Sequence, residues 1–302
     1  MPQSRRRFLR NLGLSAAALM LPNRLDAAAA LAPAPTVADR ERLAAWLRTL
    51  RREGLAPPRA PLGRAIARVG ELAQGTPYRG STLEEYLAAG GSPSTEPATC
   101  YLTVFDCVTL VESAQAVART SAKPGAGWDE FEHQVERMRY RGGVRAGYSS
   151  RLHYFSEWIA DNARRGLVRD LGPELGADED RRPLRFMSTH RSAYAALRDD
   201  AAYEAIVQME RRLDTSPRHL IPTARIPSVM SRIQTGDVLA FATSVDGLDA
   251  SHTGLAYRDR AGVLRVLHAP LSGGVVTISR GDLHAYVAGI RRSTGILVAR
   301  PL

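Results

Sequence analysis

Cysteine is nearly absent from this 302-residue chain, which holds only Cys100 and Cys107. Two cysteines exclude a disulfide-stapled scaffold and leave room for one bridge at most. Aromatic residues are sparse at 6%, and charged residues make up 24% against 44% hydrophobic, so the chain can bury a full core and is not compositionally disordered. There is no internal repeat and no apolar run long enough to span a membrane stably. A His-Glu-x-x-His motif is missing, as are close His/Cys pairs, and His252, His268 and Asp237 would make an unusual ligand set. No metal and no cofactor is therefore expected.

Negative charge is the minority, and the formal net charge is +10. Arg5, Arg6, Arg7, Arg10 and Arg24, set against Asp26, put +4 of that into residues 1–30 and leave +6 for the remainder. The basic residues of the remainder are scattered and not interleaved with aromatics, so nucleic acid is not an expected partner. The N-terminus reads as an address. Ser4-Arg5-Arg6-Arg7-Phe8-Leu9-Arg10, the apolar stretch from Leu12 to Leu21 and the small residues Ala27 to Ala30 follow the order of a twin-arginine signal with its cleavage zone. A basic amphipathic surface helix is the plainer alternative. The expectation is a signal peptide over residues 1–30 read by the twin-arginine export machinery, a periplasmic location, a linker over 31–36 and a single domain over 37–302.

Helical periodicity dominates the first two thirds. Leu43, Trp46, Leu47 and Leu50 share one face of residues 39–52, and Leu62, Ile66, Val69 and Leu72 repeat the pattern. Further helices are expected over 107–118, 128–138 and 153–163, with at least one more inside 194–213. From Thr235 onward the pattern changes to short β-rich runs over 237–243, 253–257, 263–268, 275–278 and 296–299, separated by Gly, Asp and Ser. Helices first and antiparallel strands last make an α+β fold.

The residues with chemistry to offer fall at the joints of this pattern. Cys107 stands where a loop turns into an amphipathic helix, and a thiol there meets the positive end of the helix dipole, which favours the thiolate. The alternatives are an inert buried cysteine and a disulfide to Cys100. Asp106 suits the N-cap of that helix. Ser251 and His252 open one expected strand and His268 closes the next, so antiparallel pairing brings both imidazoles to one end of the sheet. A cysteine nucleophile needs one base in contact and a second polar group to fix the base's tautomer.

The runs FDCVTLVE (105–112), SRLHYFSEWIADN (150–162), IQTGDVLAFAT (233–243), GLDASHTGLAY (247–257) and VLHAP (266–270) together resemble the AmiA-like N-acetylmuramoyl-L-alanine amidases of the NlpC-type superfamily of papain-like cell-wall hydrolases. The likeness runs from about Tyr78 to the C-terminus. It implies a papain-like fold in which a helical half carries the nucleophile and an antiparallel sheet carries its partners. On that resemblance Cys107 is the nucleophile, His252 the general base and His268 the residue that orients it. Asp106 and Tyr78 are implied to line the cleft beside the nucleophile, Ser251 to join them, and Arg151, His153 and Tyr154 to contact substrate, an interface being the alternative for the last three. The implied substrate is a peptidoglycan fragment cut between N-acetylmuramic acid and L-alanine, with 1,6-anhydro muropeptides as the favoured form. An NlpC-type endopeptidase acting on the D-γ-glutamyl-diamino acid bond and a non-catalytic muropeptide-binding protein are the rival readings.

The twin-arginine pair is read by a receptor and not by its charge alone. Replacing Arg5 and Arg6 by Lys is therefore expected to leave precursor in the cytoplasm on cell fractionation, and normal periplasmic accumulation would overturn the export reading.

Overall fold

The structure, a computed structural model, describes residues 35–271 and 274–302. The signal read over residues 1–30 and most of the linker lie outside the described residues. The first helix, α1 (Val37–Arg52), starts at a capping box in which the Thr36 hydroxyl accepts from the Asp39 backbone N–H and the Asp39 carboxylate accepts from that of Thr36. Its buried Leu43, Trp46, Leu47 and Leu50 are the four residues whose spacing sets the apolar face. In α2 (Leu62–Leu72), Ile66 and Val69 are buried as the periodicity predicts, while Leu62 and Leu72 pack at the margin of the core.

Next come α3 (Cys107–Ser121), α4 (Trp128–Arg139) and α5 (Phe155–Arg164). The third starts two residues later than the sequence predicts, and Gly166 closes it with φ +70°, a conformation glycine adopts at no steric cost. The alanine-rich stretch forms α6 (Asp200–Leu213), capped by Asp199.

Eight strands form one antiparallel sheet: β1 (Val168–Asp170), β2 (Asp178–Asp180), β3 (Arg218–Pro222), β4 (Val238–Thr243), β5 (Ala250–Arg258), β6 (Leu264–His268), β7 (Thr277–Ile278) and β8 (Ser293–Pro301). Their order is β2-β3-β8-β4-β5-β6-β7, with β1 also on β8. The last strand of the chain thus lies mid-sheet, and β4 beside it is buried along its whole length. Alternation along the strands sends Val238, Ala240, Ala242 and Leu255 into the core shared with α1 to α5. Leu239, Phe241, Ala256 and Val266 enter a second core, closed by α7 (Leu283–Gly289) and the single turn Ile226–Val229. Helices and antiparallel sheet make the α+β architecture the sequence predicts, with the sheet covered on both faces. Among the described residues no helix is long and apolar enough to cross a membrane.

Asp39 couples the helical layer to the segment that leads into α3. One carboxylate oxygen caps α1, while the other accepts from the backbone N–H groups of Leu102 (2.8 Å) and Thr103 (2.9 Å). Burial alone pushes its carboxyl upward, but these donors and Thr36 outweigh burial and hold it below the usual carboxylate range. Because the folded value lies below the unfolded one, the stabilisation is complete above about pH 4 and fades as pH falls through the lowered value. Asp39→Ala is expected to cost about 3 kcal/mol by urea unfolding at neutral pH, from a lost cap and two orphaned donors. The penalty should shrink toward about pH 3, and a pH-independent penalty would contradict this account.

Candidate active site

The start of α3 is fixed by its own side chains. Asp106 is the N-cap: its Oδ1 accepts from the Thr109 backbone N–H at 2.7 Å and the Thr109 hydroxyl at 2.9 Å, while the Asp106 N–H donates to Thr109 Oγ1. Cys107 is the first helical residue and is half-buried. The loop that follows α2 is stitched to this point as well, since Phe105 N–H donates to Pro77 O (3.1 Å) and Arg79 N–H to Phe105 O (2.9 Å). That pairing seats Tyr78 beside Cys107, where burial, then the charges of Cys107 and Asp106, push its hydroxyl above the usual range.

The sheet meets the helix through Thr253, whose hydroxyl donates to the Cys107 carbonyl at 3.0 Å. Thr253 N–H and hydroxyl also favour the Cys107 thiolate, so the thiol lies against the residue next to His252. His252, the preceding residue on β5, stacks its ring on Phe241 at 5.5 Å and 17°. Between β4 and β5 the register slips so that Ser251 is an extra residue on β5, a bulge of the kind that re-aims neighbouring side chains. His252 Nε2 lies 2.8 Å from His268 Nδ1. His268 is 3% exposed and also meets the Tyr286 hydroxyl at 3.1 Å. Glycine is required at position 254, where a Cβ would come within 3.1 Å of the His268 Cβ and 3.0 Å of the Leu267 carbonyl. Tyr286 belongs to the far-face helix α7, and burial, followed by the charge Cys107 carries as a thiolate, raises its hydroxyl.

The electrostatics correct one expectation. The dipole argument predicts a lowered thiol, but burial, followed by the Asp106 charge, pushes Cys107 up to about 12, with Thr253 opposing. A helix terminus contributes about 1 kcal/mol, less than the several kcal/mol that dehydrating an unpaired anion costs. Burial lowers His252 to about 3, helped by His268, and lowers His268 to about 4. The resting site at neutral pH therefore holds a thiol and two neutral imidazoles.

The remaining candidates are each held by partners inside the fold. Arg151 is 6% exposed, with its Nη2 donating to Glu84 at 2.5 Å and its guanidinium over the Tyr148 ring. Tyr154 is 1% exposed and its hydroxyl donates to Glu210 at 2.6 Å. His153 Nε2 lies 2.8 Å from the Tyr148 carbonyl. These contacts tie helices and loops together. Cys100 is buried beside Arg139, and both cysteines are free thiols. Among the described residues no group of three or more His, Cys, Asp or Glu is arranged to hold a metal ion.

Four residues at the site carry no role in the sequence reading: Phe241, Thr253, Tyr286 and Asp249. Asp249 is 3% exposed and accepts from the Ser156 N–H at 2.6 Å, which pins the start of β5 to α5. The signal for Tyr286 is present in Gly281-Asp282 followed by Leu283 and Val287 four apart, the mark of a short capped helix.

A family model described as AmiA-like, N-acetylmuramoyl-L-alanine amidase-like, matches residues 68–296. The chain belongs to the AmiA-like family. Among solved structures, an N-acetylmuramoyl-L-alanine amidase from Bacteroides uniformis is similar at 28% identity and a TM-score of 0.73, over 80% of this chain and 99% of its own. A Bacteroides fragilis protein named provisionally as a xylanase has 31% identity and a TM-score of 0.69, over 77% and 99%. A Legionella pneumophila protein shares the fold at 20% identity and a TM-score of 0.62, over 87% and 94%. No curated protein matches. Membership of the AmiA-like family makes the chain an amidase-like hydrolase, and the match spans every candidate residue from Tyr78 to His268.

A resting thiol near 12 makes a distinct pH signature. Alkylation of Cys107 by iodoacetamide is expected to speed up about tenfold per pH unit between about pH 7 and 9, because only the thiolate reacts. A fast rate that stays flat from about pH 5 to 8 would reveal a preformed thiolate–imidazolium pair instead.

Proposed function

We propose that this AmiA-like chain is a cysteine amidase with a papain-like, NlpC-type catalytic arrangement, which cuts the N-acetylmuramoyl-L-alanine bond of peptidoglycan fragments. The observation that carries the reading is the thiol at the start of α3, set against Thr253 and backed by the paired rings of His252 and His268. With His252 Nε2 engaged on His268, Nδ1 is the ring nitrogen left to take a proton from the thiol. As Cys107 sulfur bonds to the lactyl carbonyl carbon, the thiol proton moves to His252 Nδ1. The oxyanion gathers at the Cys107 and Val108 N–H groups that open α3, the next one, of Thr109, being taken by Asp106. His252 then gives its proton to the leaving amine of L-alanine as the C–N bond breaks, leaving a thioester. Water attacks the thioester, gives a proton to His252 and releases the muramoyl acid and the free thiol.

Asp106, Tyr78 and Ser251 flank this point and are assigned to the cleft wall. The deep burial of Arg151 and Tyr154 favours a supporting role for them over direct contact with sugar. Small released fragments, with 1,6-anhydro muropeptides as the favoured form, are the substrate in this proposal. Encounter takes place in the periplasm after twin-arginine export.

Mass spectrometry of a muropeptide digest tests the assignment directly. Free peptides beginning with L-alanine are expected, whereas products cut after D-γ-glutamate would mark an endopeptidase and unchanged fragments a binding protein. Cys107→Ala and His252→Ala should each lower turnover by about 10³-fold or more, and the double variant should be little worse because the pair acts as one unit. His268→Gln keeps a polar partner for Nε2 and should retain more turnover than His268→Ala. Full activity in His252→Ala would show that the wrong base is assigned.

A further inference from the structure

The His252–His268 contact by itself permits two proton arrangements. In one, His252 Nε2–H donates to a bare His268 Nδ1, and His252 Nδ1 keeps its lone pair. In the other, His268 Nδ1–H donates to a bare His252 Nε2, and the remaining proton of the neutral His252 ring sits on Nδ1. Only the first arrangement leaves a base on the nitrogen that the proposed mechanism uses, so something must select it.

Tyr286 is placed to do so. Its hydroxyl is 3.1 Å from the same His268 Nδ1 that meets His252 Nε2 at 2.8 Å. A phenol is a good hydrogen-bond donor and, with its oxygen lone pair delocalised into the ring, a poor acceptor. Two donors converging on one ring nitrogen are satisfied together only if that nitrogen is bare. The ring of Tyr286 is held independently of this contact: it packs edge-on against Phe241 at 5.3 Å and against His268 at 4.8 Å. Phe241 in turn stacks under His252, so one aromatic cluster sets both ring planes and the position of the hydroxyl. Burial raises the Tyr286 hydroxyl above its usual range, so it stays protonated through neutral pH.

We infer that Tyr286 is a positioning residue that fixes the tautomer of the histidine pair, holding His268 Nδ1 bare so that His252 carries its proton on Nε2 and offers Nδ1 to Cys107. The inference rests on the proposed Cys107–His252 chemistry. Tyr286→Phe removes the hydroxyl and keeps the ring that packs against Phe241 and His268.

The test combines nitrogen NMR of histidine-labelled full-length mature protein with turnover of anhydro muropeptides released by a lytic transglycosylase. In the unsubstituted protein, His252 Nδ1 and His268 Nδ1 are expected to give pyridine-like signals and both Nε2 atoms pyrrole-like ones. In Tyr286→Phe the two Nδ1 signals should move toward the pyrrole-like position, at least for His268, and kcat should fall about 5- to 10-fold at unchanged KM, the scale of one neutral hydrogen bond. Unchanged nitrogen signals in Tyr286→Phe overturn the inference whatever the rate does, and so does a tautomer change with unaltered kcat. Full turnover in Cys107→Ala is a separate result: it overturns the proposed nucleophile, while the nitrogen signals still decide whether Tyr286 sets the tautomer.

Discussion

The hydrogen bond from Thr253 to the Cys107 carbonyl is the hinge on which the site depends. It joins residues 146 apart in sequence and ties the first turn of α3 to the middle of β5. Everything local on either side is fixed without it: Asp106 and Thr109 start the helix, and the pairing of β4 with β5 and β6 sets the sheet. Neither local set determines how the helix start sits against the strand. Thr253 does, because a hydroxyl on the helix-facing side of β5 reaches a carbonyl of the first turn, which ties the strand that carries His252 to the start of α3. The Asp249–Ser156 and Asp39–Leu102 contacts brace the two approaches to this junction, one on the strand side and one on the helix side. Both use a buried carboxylate to gather backbone donors, an interaction that tolerates little displacement.

Much of this was legible in the sequence because it is written in local patterns. The apolar faces of α1 and α2, the loop-to-helix step at Cys107 and the run of β4 all follow from spacing over a few residues. The parts that were not legible are those in which tertiary context overrules composition. The strands β1 and β2 are three residues each and carry Arg169, Asp170, Asp178, Glu179 and Asp180, so nothing in their composition marks them as strands. They pair with the stretch of β8 beyond its pairing with β3 and with the outer side of β3. In β3, Arg218, His219 and Pro222 obscure a strand that has one fully buried apolar residue, Ile221. The early start of β5 at Ala250 depends on the bulge at Ser251, which no alternation pattern contains.

Among the site residues the same division holds. Cys107, His252 and His268 stand out because their residue types are rare and their positions fall at element ends. Arg151 and Tyr154 have equally suggestive types, and their partners in the structure are Glu84 and Glu210, residues 67 and 56 positions away, which no local pattern could have named. A residue type announces what a side chain is able to do, and burial decides what it is left free to do. The thiol illustrates this most sharply, since a helix start favours ionisation while the walls around it oppose it.

That opposition gives the helix terminus a different task in the proposed mechanism. In that mechanism a site that holds both thiol and imidazole neutral keeps the sulfur weakly nucleophilic until a carbonyl is in place. Once the proton has moved, the same low dielectric that disfavoured a lone thiolate strengthens its attraction to the adjacent imidazolium, so charge forms as a pair. The attack passes the negative charge from sulfur to the carbonyl oxygen, which carries it toward the first N–H groups of α3. The dipole is too weak to ionise a buried thiol beforehand, yet it acts at full strength on an oxyanion that appears within hydrogen-bond distance of its terminus. In the proposed mechanism the burial that raises Cys107 thus places the helix's electrostatic contribution in the transition state, where it accelerates the reaction, and not in the resting site, where it would only have stabilised the starting point.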